Sequence, residues 1–165
     1  MFGLLKRAIY VMFLPLAACA ASALNTDGSA PVPRSISYET GPCFGACPVY
    51  RLTVDAEGHG SFEGIRFTNV LGTRAFAVSR EAYRAFAAQL APLRPASGSV
   101  RYDAPPNCKH MATDLPSASV AWHEADGSQQ SLYFYYGCDM EKNRAIGERL
   151  SAAPRLLPIA AFVKG

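Results

Sequence analysis

Apolar and polar side chains alternate along several short stretches of the chain, and apolar ones recur at helical spacing in two others. In "VYRLTVDAEG" (residues 49–58) Tyr50, Leu52 and Val54 fall on one face and Arg51, Thr53 and Asp55 on the other, the period of a half-buried strand. Glu57-Gly58-His59-Gly60 then tolerates positive φ and "SFEGIRF" resumes extended chemistry, which predicts a hairpin. "SISYET" offers Ile36 and Tyr38 to one side ahead of this pair, and "RAFAVS" follows it with Phe76 and Val78. Ser79 is placed to cap "REAYRAFAAQLAPL", whose Tyr83, Phe86, Leu90 and Leu93 trace an apolar stripe that Pro92 and Pro95 end. The logic repeats downstream. "SASVAWHE" puts Ala118, Val120 and Trp122 together, Ala125-Asp126-Gly127 turns the chain, and "SLYFYY" returns with Leu132, Phe134 and Tyr136. Asp139 is placed to cap a helix through Ile146 and Leu150, and the apolar tail "PRLLPIAAFVKG" reads as a short helix or turn.

Strands grouped before each helix, joined by turns rather than helical crossovers, predict an α+β domain. The simplest arrangement is an antiparallel sheet of about five to six strands with two main helices packed on one face. Residues 94–116, "RPASGSVRYDAPPNCKHMATDLP", show neither period and read as one long connection, of a kind uncommon in compact domains.

The first 18 residues belong to a different class of segment. Lys6 and Arg7 make a basic start, Ala8 to Leu16 an apolar stretch, and small residues follow, the layout of a secretory signal peptide. The stretch is too short for a bilayer core that needs about 20 helical residues. Leu16-Ala17-Ala18-Cys19 resembles the bacterial lipobox, which implies acylation of Cys19 and removal of residues 1–18. Ala20 rather than Asp after that cysteine resembles lipoproteins sent on to the outer membrane. Residues 19–34 then read as the lipidated cysteine and a flexible tether, "AASALNTDGSAPVPR" being small, polar and proline-bearing, with a reach of roughly 20 Å on average and roughly 50 Å drawn out. Residues 35–165 form the single folded domain. The expected location is the cell envelope, on a membrane facing the periplasm, with the lipid bilayer as one partner.

Charge narrows the other partners. The formal charge of +3 falls to +1 once Lys6 and Arg7 leave, because residues 1–18 hold no acid. The densest cationic stretch, Lys142, Arg144 and Arg149, is interleaved with Glu141 and Glu148 and reads as a solvated helix face. No field remains to gather nucleic acid. An envelope protein or a small ligand is the expected further partner.

The domain holds Cys43, Cys47, Cys108 and Cys138, an even number in a compartment that oxidises thiols, so two disulfides are expected. Three connectivities are possible. Proximity favours Cys43 with Cys47, leaving Cys108 to tie the long connection beside Cys138. Loops held this way often carry binding surfaces. The polar and aromatic residues there, Arg101, Tyr102, His110 and Asp114 with Tyr135 and Tyr136, make a candidate ligand-binding loop.

Three other readings of the first pair compete with a staple. Cys-x-x-x-Cys-Pro resembles the motif of Sco-type copper chaperones, which would make Cys43, Cys47 and His110 copper ligands. That motif opens a helix, whereas Pro48 here leads into a strand. Thiol exchange needs a stabilised thiolate, typically at a helix N-terminus, and zinc would need Cys43, Cys47, Cys108 and His110 to stay unbridged. No cofactor or metal is expected on the leading reading, with copper as the alternative. No Gly-x-Ser-x-Gly elbow or His-Glu-x-x-His helix occurs, so no catalytic residue is assigned and an enzyme is not the expected class.

Cys43-Phe44-Gly45-Ala46-Cys47-Pro48-Val49-Tyr50, the glycine-bearing hairpin after it, and Thr113-Asp114-Leu115-Pro116 together resemble a bacterial domain-of-unknown-function family, number 6438, over roughly residues 35–165. That resemblance implies a fold unit and an exported or lipidated envelope address; it brings no activity. It also implies that Cys108 and Cys138 are an addition in a subset of such sequences, which fits their pairing. The function expected from sequence is therefore a membrane-anchored, disulfide-stapled binding or structural module of the envelope, with a copper or thiol-redox protein as the alternative.

Overall fold

The computed structural model describes residues 32–163. Among these, seven strands form one sheet: β1 Ser35–Thr40, β2 Val49–Asp55, β3 His59–Arg66, β4 Gly72–Ala77, β5 Ser99–Tyr102, β6 Ser117–His123 and β7 Gln129–Tyr135. Two α-helices, α1 Arg80–Leu90 and α2 Arg144–Ala152, follow β4 and β7. The spatial order is β4-β3-β2-β1-β6-β7-β5.

Period-2 sequence becomes a layered core through the register. Phe62 pairs with Leu52, Leu52 with Tyr38, Tyr38 with Val120, Val120 with Leu132 and Leu132 with Val100, so one lateral row of apolar side chains crosses six strands. Tyr83, Phe86, Ala87 and Leu90 of α1 and Leu150 of α2 pack into the same core, which places both helices on that face. The opposite row, Ser61, Thr53, Ser37, Ala121, Ser131 and Ser99, is small and mostly hydroxylic, as expected for the wet face of such a sheet.

Two expectations need correction. The sheet has seven strands and is mixed, because β5 pairs in parallel with β7 while the other pairings are antiparallel. β5 is four residues long and buries neither of its alternating side chains fully, so its period was too short to separate from the connection around it. It reaches the free edge of β7 after α1 and runs with its neighbour, and the chain then needs residues 103–116 to return to the start of β6. Second, Asp139 does not cap α2. Asn143 occupies the cap position without a side-chain cap bond, and its amide donates to the Cys138 carbonyl at 3.1 Å. The cap on α1 is as the sequence suggests, with Ser79 accepting from the Ala82 N–H at 3.0 Å.

The ends of the sheet are tied separately. At one end Arg94, arriving from α1, donates to Gln130 at 3.0 Å and pairs with Glu124, fastening the approach to β5 onto the β6–β7 hairpin. At the other end the β3–β4 connection folds back over β3 so closely that a Cβ on Gly64 would lie 1.7 Å from the Val70 carbonyl oxygen. Only glycine admits that approach. Val70 in turn donates its N–H to the Phe162 carbonyl at 3.2 Å, which holds the C-terminal tail under the same end of the sheet.

Candidate functional site

The end of the sheet where β1 stops and β2 starts is closed by residues 41–48. Cys43 and Cys47 are joined across a Cα separation of 5.8 Å, making a clasp on this turn. Three bonds fix it in place: Gly41 N–H to Ser117 O at 2.8 Å, Phe44 N–H to Asp114 O at 3.1 Å, and Thr40 Oγ1 to Pro48 O at 2.8 Å. Phe44, at its tip, is 87% exposed. The second disulfide, Cys108–Cys138, spans 5.4 Å between Cα atoms and ties residues 103–116 to the corner after β7. Backbone bonds run alongside it, Ala112 N–H to Gly137 O at 2.9 Å and Asp139 N–H to His110 O at 2.8 Å.

Between the clasp, the Leu115-Pro116 turn, the end of α2 and the C-terminal tail lies a cavity of about 770 Å³. Its apolar lining includes Leu115, Leu157, Ile159 and Val163, and Tyr38, Tyr50 and Tyr136 reach it from the sheet. Cys47 and Pro48 of the clasp line it too, as do the exposed side chains of Met140 and Arg155. The volume lies within the roughly 300–1,000 Å³ of small-molecule sites, and an apolar lining with few polar groups is their usual chemistry.

The polar groups differ in how they are used. The Tyr38 hydroxyl donates to the Leu150 carbonyl at 3.0 Å. The Tyr136 hydroxyl lies 3.0 Å from Ser151 Oγ, which donates to Gly147 O at 2.8 Å. Tyr50 is only 5% exposed and its backbone N–H donates to Thr40 Oγ1 at 3.0 Å, while its hydroxyl makes no hydrogen bond to any described residue and is not shut off from solvent. Burial pushes the Tyr38 phenol well above its ordinary range and raises those of Tyr50 and Tyr136; for Tyr50 the neighbouring Tyr136 adds to the effect. All three are therefore protonated at neutral pH and present hydroxyls, not phenolates.

The six residues of the sequence-derived ligand loop do not share one site. Tyr136 lines the cavity, and Asp114 adjoins its Leu115 wall while offering a backbone carbonyl to the clasp. Tyr102 faces the core, its ring 5.8 Å from Phe134. Arg101 lies on the hydroxylic face, 4.1 Å over the Tyr133 ring and paired with Asp103. Tyr135 accepts from the Leu115 N–H at 3.3 Å. His110 is exposed and pairs with Asp139 at 3.2 Å. Sequence reasoning missed Tyr38, Tyr50 and the tail, having assigned the first two to the core. Tyrosine on an otherwise aliphatic face was the available signal, because a buried hydroxyl needs somewhere to go.

Neither cysteine pair holds free thiolates, and Cys43, Cys47 and His110 do not converge. Among the described residues the potential ligand atoms that do lie together, within 4.8 Å, belong to Cys108, Cys138 and Asp139, and two of these are the bonded sulfurs. Cys19 lies outside the described residues. No described helix is long and apolar enough to cross a membrane.

Asp139 gives a pH prediction. Its carboxylate accepts the backbone N–H groups of Lys109 and His110, each at 2.9 Å, and these bonds, with His110, hold it below the usual carboxylate range. A depressed folded pKa adds stability that is present above the ordinary value of 3.8 and is lost as pH falls through the folded value. The thermal midpoint should therefore fall more steeply on acidification below pH 4 in the wild type than in Asp139→Asn. Parallel acid limbs for the two proteins would remove Asp139 from the account.

A family model described as a domain of unknown function (DUF6438) matches residues 34–153. No curated protein and no solved structure matches the chain.

Proposed function

The chain belongs to the DUF6438 family, and we propose that it is a lipid-anchored, non-enzymatic binding module of the cell envelope that holds a small apolar molecule beneath its clasp. The cavity of about 770 Å³ carries this reading. An apolar cleft of that size is filled by water when empty, and an apolar occupant gains by displacing that water and burying the lining. The lining supports binding over turnover, because phenols whose pKa values burial has raised donate hydrogen bonds and take up no proton. The Leu16-Ala17-Ala18-Cys19 sequence supports the anchor, and the tether sets the domain within roughly 50 Å of its membrane.

Native mass spectrometry of the mature acylated protein, released from non-ionic micelles, tests both parts. The intact mass should include acyl chains on Cys19. Added hexadecanol should be retained as one equivalent by the wild type and lost in Ala160→Phe, which places a ring at the exposed Ala160 lining the cavity. Equal retention by the two proteins, or none by either, would reject the cavity as the site.

A further inference from the structure

The cavity is apolar along most of its length but not uniformly so. Tyr50, a 5% exposed residue, lines the cavity, and its hydroxyl makes no hydrogen bond to any described residue, which leaves it free to donate to whatever enters from the open side. Tyr136 lies close enough for its charge to affect the ionisation of Tyr50, and its own hydroxyl meets Ser151. Ser151 hands its proton to Gly147 O, so that pair has no donor left over. Arg155 stands four residues beyond Ser151, exposed, lining the same cavity and making no ion pair among the described residues. Arg144 and Glu148 line the shallow hollow beside it, with Arg155 common to both spaces. The polar part of the site thus presents spare donors and a spare positive charge next to a hydrocarbon-lined interior.

From this arrangement we propose that the occupant is a single-chain amphiphile with an anionic oxygen headgroup, a long-chain carboxylate being its simplest form. The hydrocarbon lies among Leu115, Leu157, Ile159 and Val163, and the headgroup accepts from the Arg155 guanidinium and the Tyr50 hydroxyl. Arginine suits this role because its fork of N–H groups matches a carboxylate in two parallel bonds, while a neutral headgroup would leave the guanidinium without a counter-charge. The inference rests on the cavity being a binding site, and adds which chemistry it selects.

Comparing hexadecanoate with hexadecanol separates the two claims, since the probes share a chain and differ in headgroup. Titrated against the mature protein at pH 8 and low salt, hexadecanoate should bind roughly tenfold tighter, the lower end for a charge-assisted bond because Arg155 is exposed. Arg155→Gln should reduce that ratio to about one, with the larger loss falling on hexadecanoate, and Arg155→Lys should keep part of it. Tyr50→Phe should weaken hexadecanoate about fivefold by removing one neutral donor. Equal affinities for the two probes in the wild type would overturn the headgroup assignment and leave the cavity standing. Binding of neither probe would overturn both, and an undiminished ratio in Arg155→Gln would show that the headgroup sits elsewhere.

Discussion

Replacing Cys108 and Cys138 together by alanine should lower the unfolding free energy by about 3.7 kcal/mol, and replacing Cys43 and Cys47 by about 2 kcal/mol. The difference comes from the unfolded chain. A crosslink between residues 30 apart removes far more conformations from it than one between residues four apart. Alanine is the right replacement, since Cys108 and Cys138 are 3% and 0% exposed and serine would bury two hydroxyls in their place. At roughly 3 °C per kcal/mol for a domain of this size, the first double variant should melt about 10 °C below the wild type and the second about 6 °C below. Circular dichroism melts without reductant measure both. If removing the 43–47 bond lowers the midpoint as much as removing the 108–138 bond, chain entropy is not what these bonds supply.

The two pairs should also separate in function. Cys47 and Pro48 line the cavity and the clasp is bonded to the turn that carries Leu115, so opening the smaller ring disturbs the site directly. The larger loop acts through the corner after β7, where Ala112, His110 and Asp139 keep their backbone bonds without the sulfur link. If the cavity is the binding site proposed above, stability and hexadecanol retention should therefore rank the two bonds in opposite order.

How far the sequence revealed this arrangement depends on the range of the signal. β2 and β6 were legible because each has three alternating apolar residues bounded by turn chemistry, β7 because Leu132 and Phe134 alternate with Tyr136 just past its end, and the stripe of α1 because Ser79 and two prolines bracket it. β5 was not, because four residues carry only two inward positions and the pairing that makes them a strand is with β7, some 30 residues away. The role of Asp139 was misread for a similar reason. An Asp ahead of a helical stripe suggests a cap, but the backbone N–H groups it serves belong to Lys109 and His110, on a loop brought near by the second disulfide. The cavity was illegible outright. Alternation places Tyr38 and Tyr50 on the inner face, and the absence of a helix covering that end of the sheet follows from where α2 stops and how the tail is held by Val70.

Trp122 is where the core makes its largest single investment, and truncating it should cost the most. It is 1% exposed on the interior strand β6, between Ile36 of β1 and Gln130 of β7. Trp122→Ala should destabilise by about 3–5 kcal/mol, the usual range for emptying a large aromatic site in a close-packed core. Trp122→Phe should cost much less than the lost ring area suggests. The indole Nε1–H has no hydrogen-bond partner among the described residues, and the nearby Gln130 amide oxygen is already occupied by Arg94. A buried unpaired donor costs about 1–3 kcal/mol, so removing it offsets most of the cavity penalty of the smaller ring and leaves a net loss near 1 kcal/mol. Urea denaturation followed by circular dichroism compares the variants on one footing, since the chain has a single tryptophan and fluorescence disappears with it. A loss of 3 kcal/mol or more in Trp122→Phe would mean that the indole N–H does have a partner in solution, and that Trp122 is held by a hydrogen bond as well as by packing.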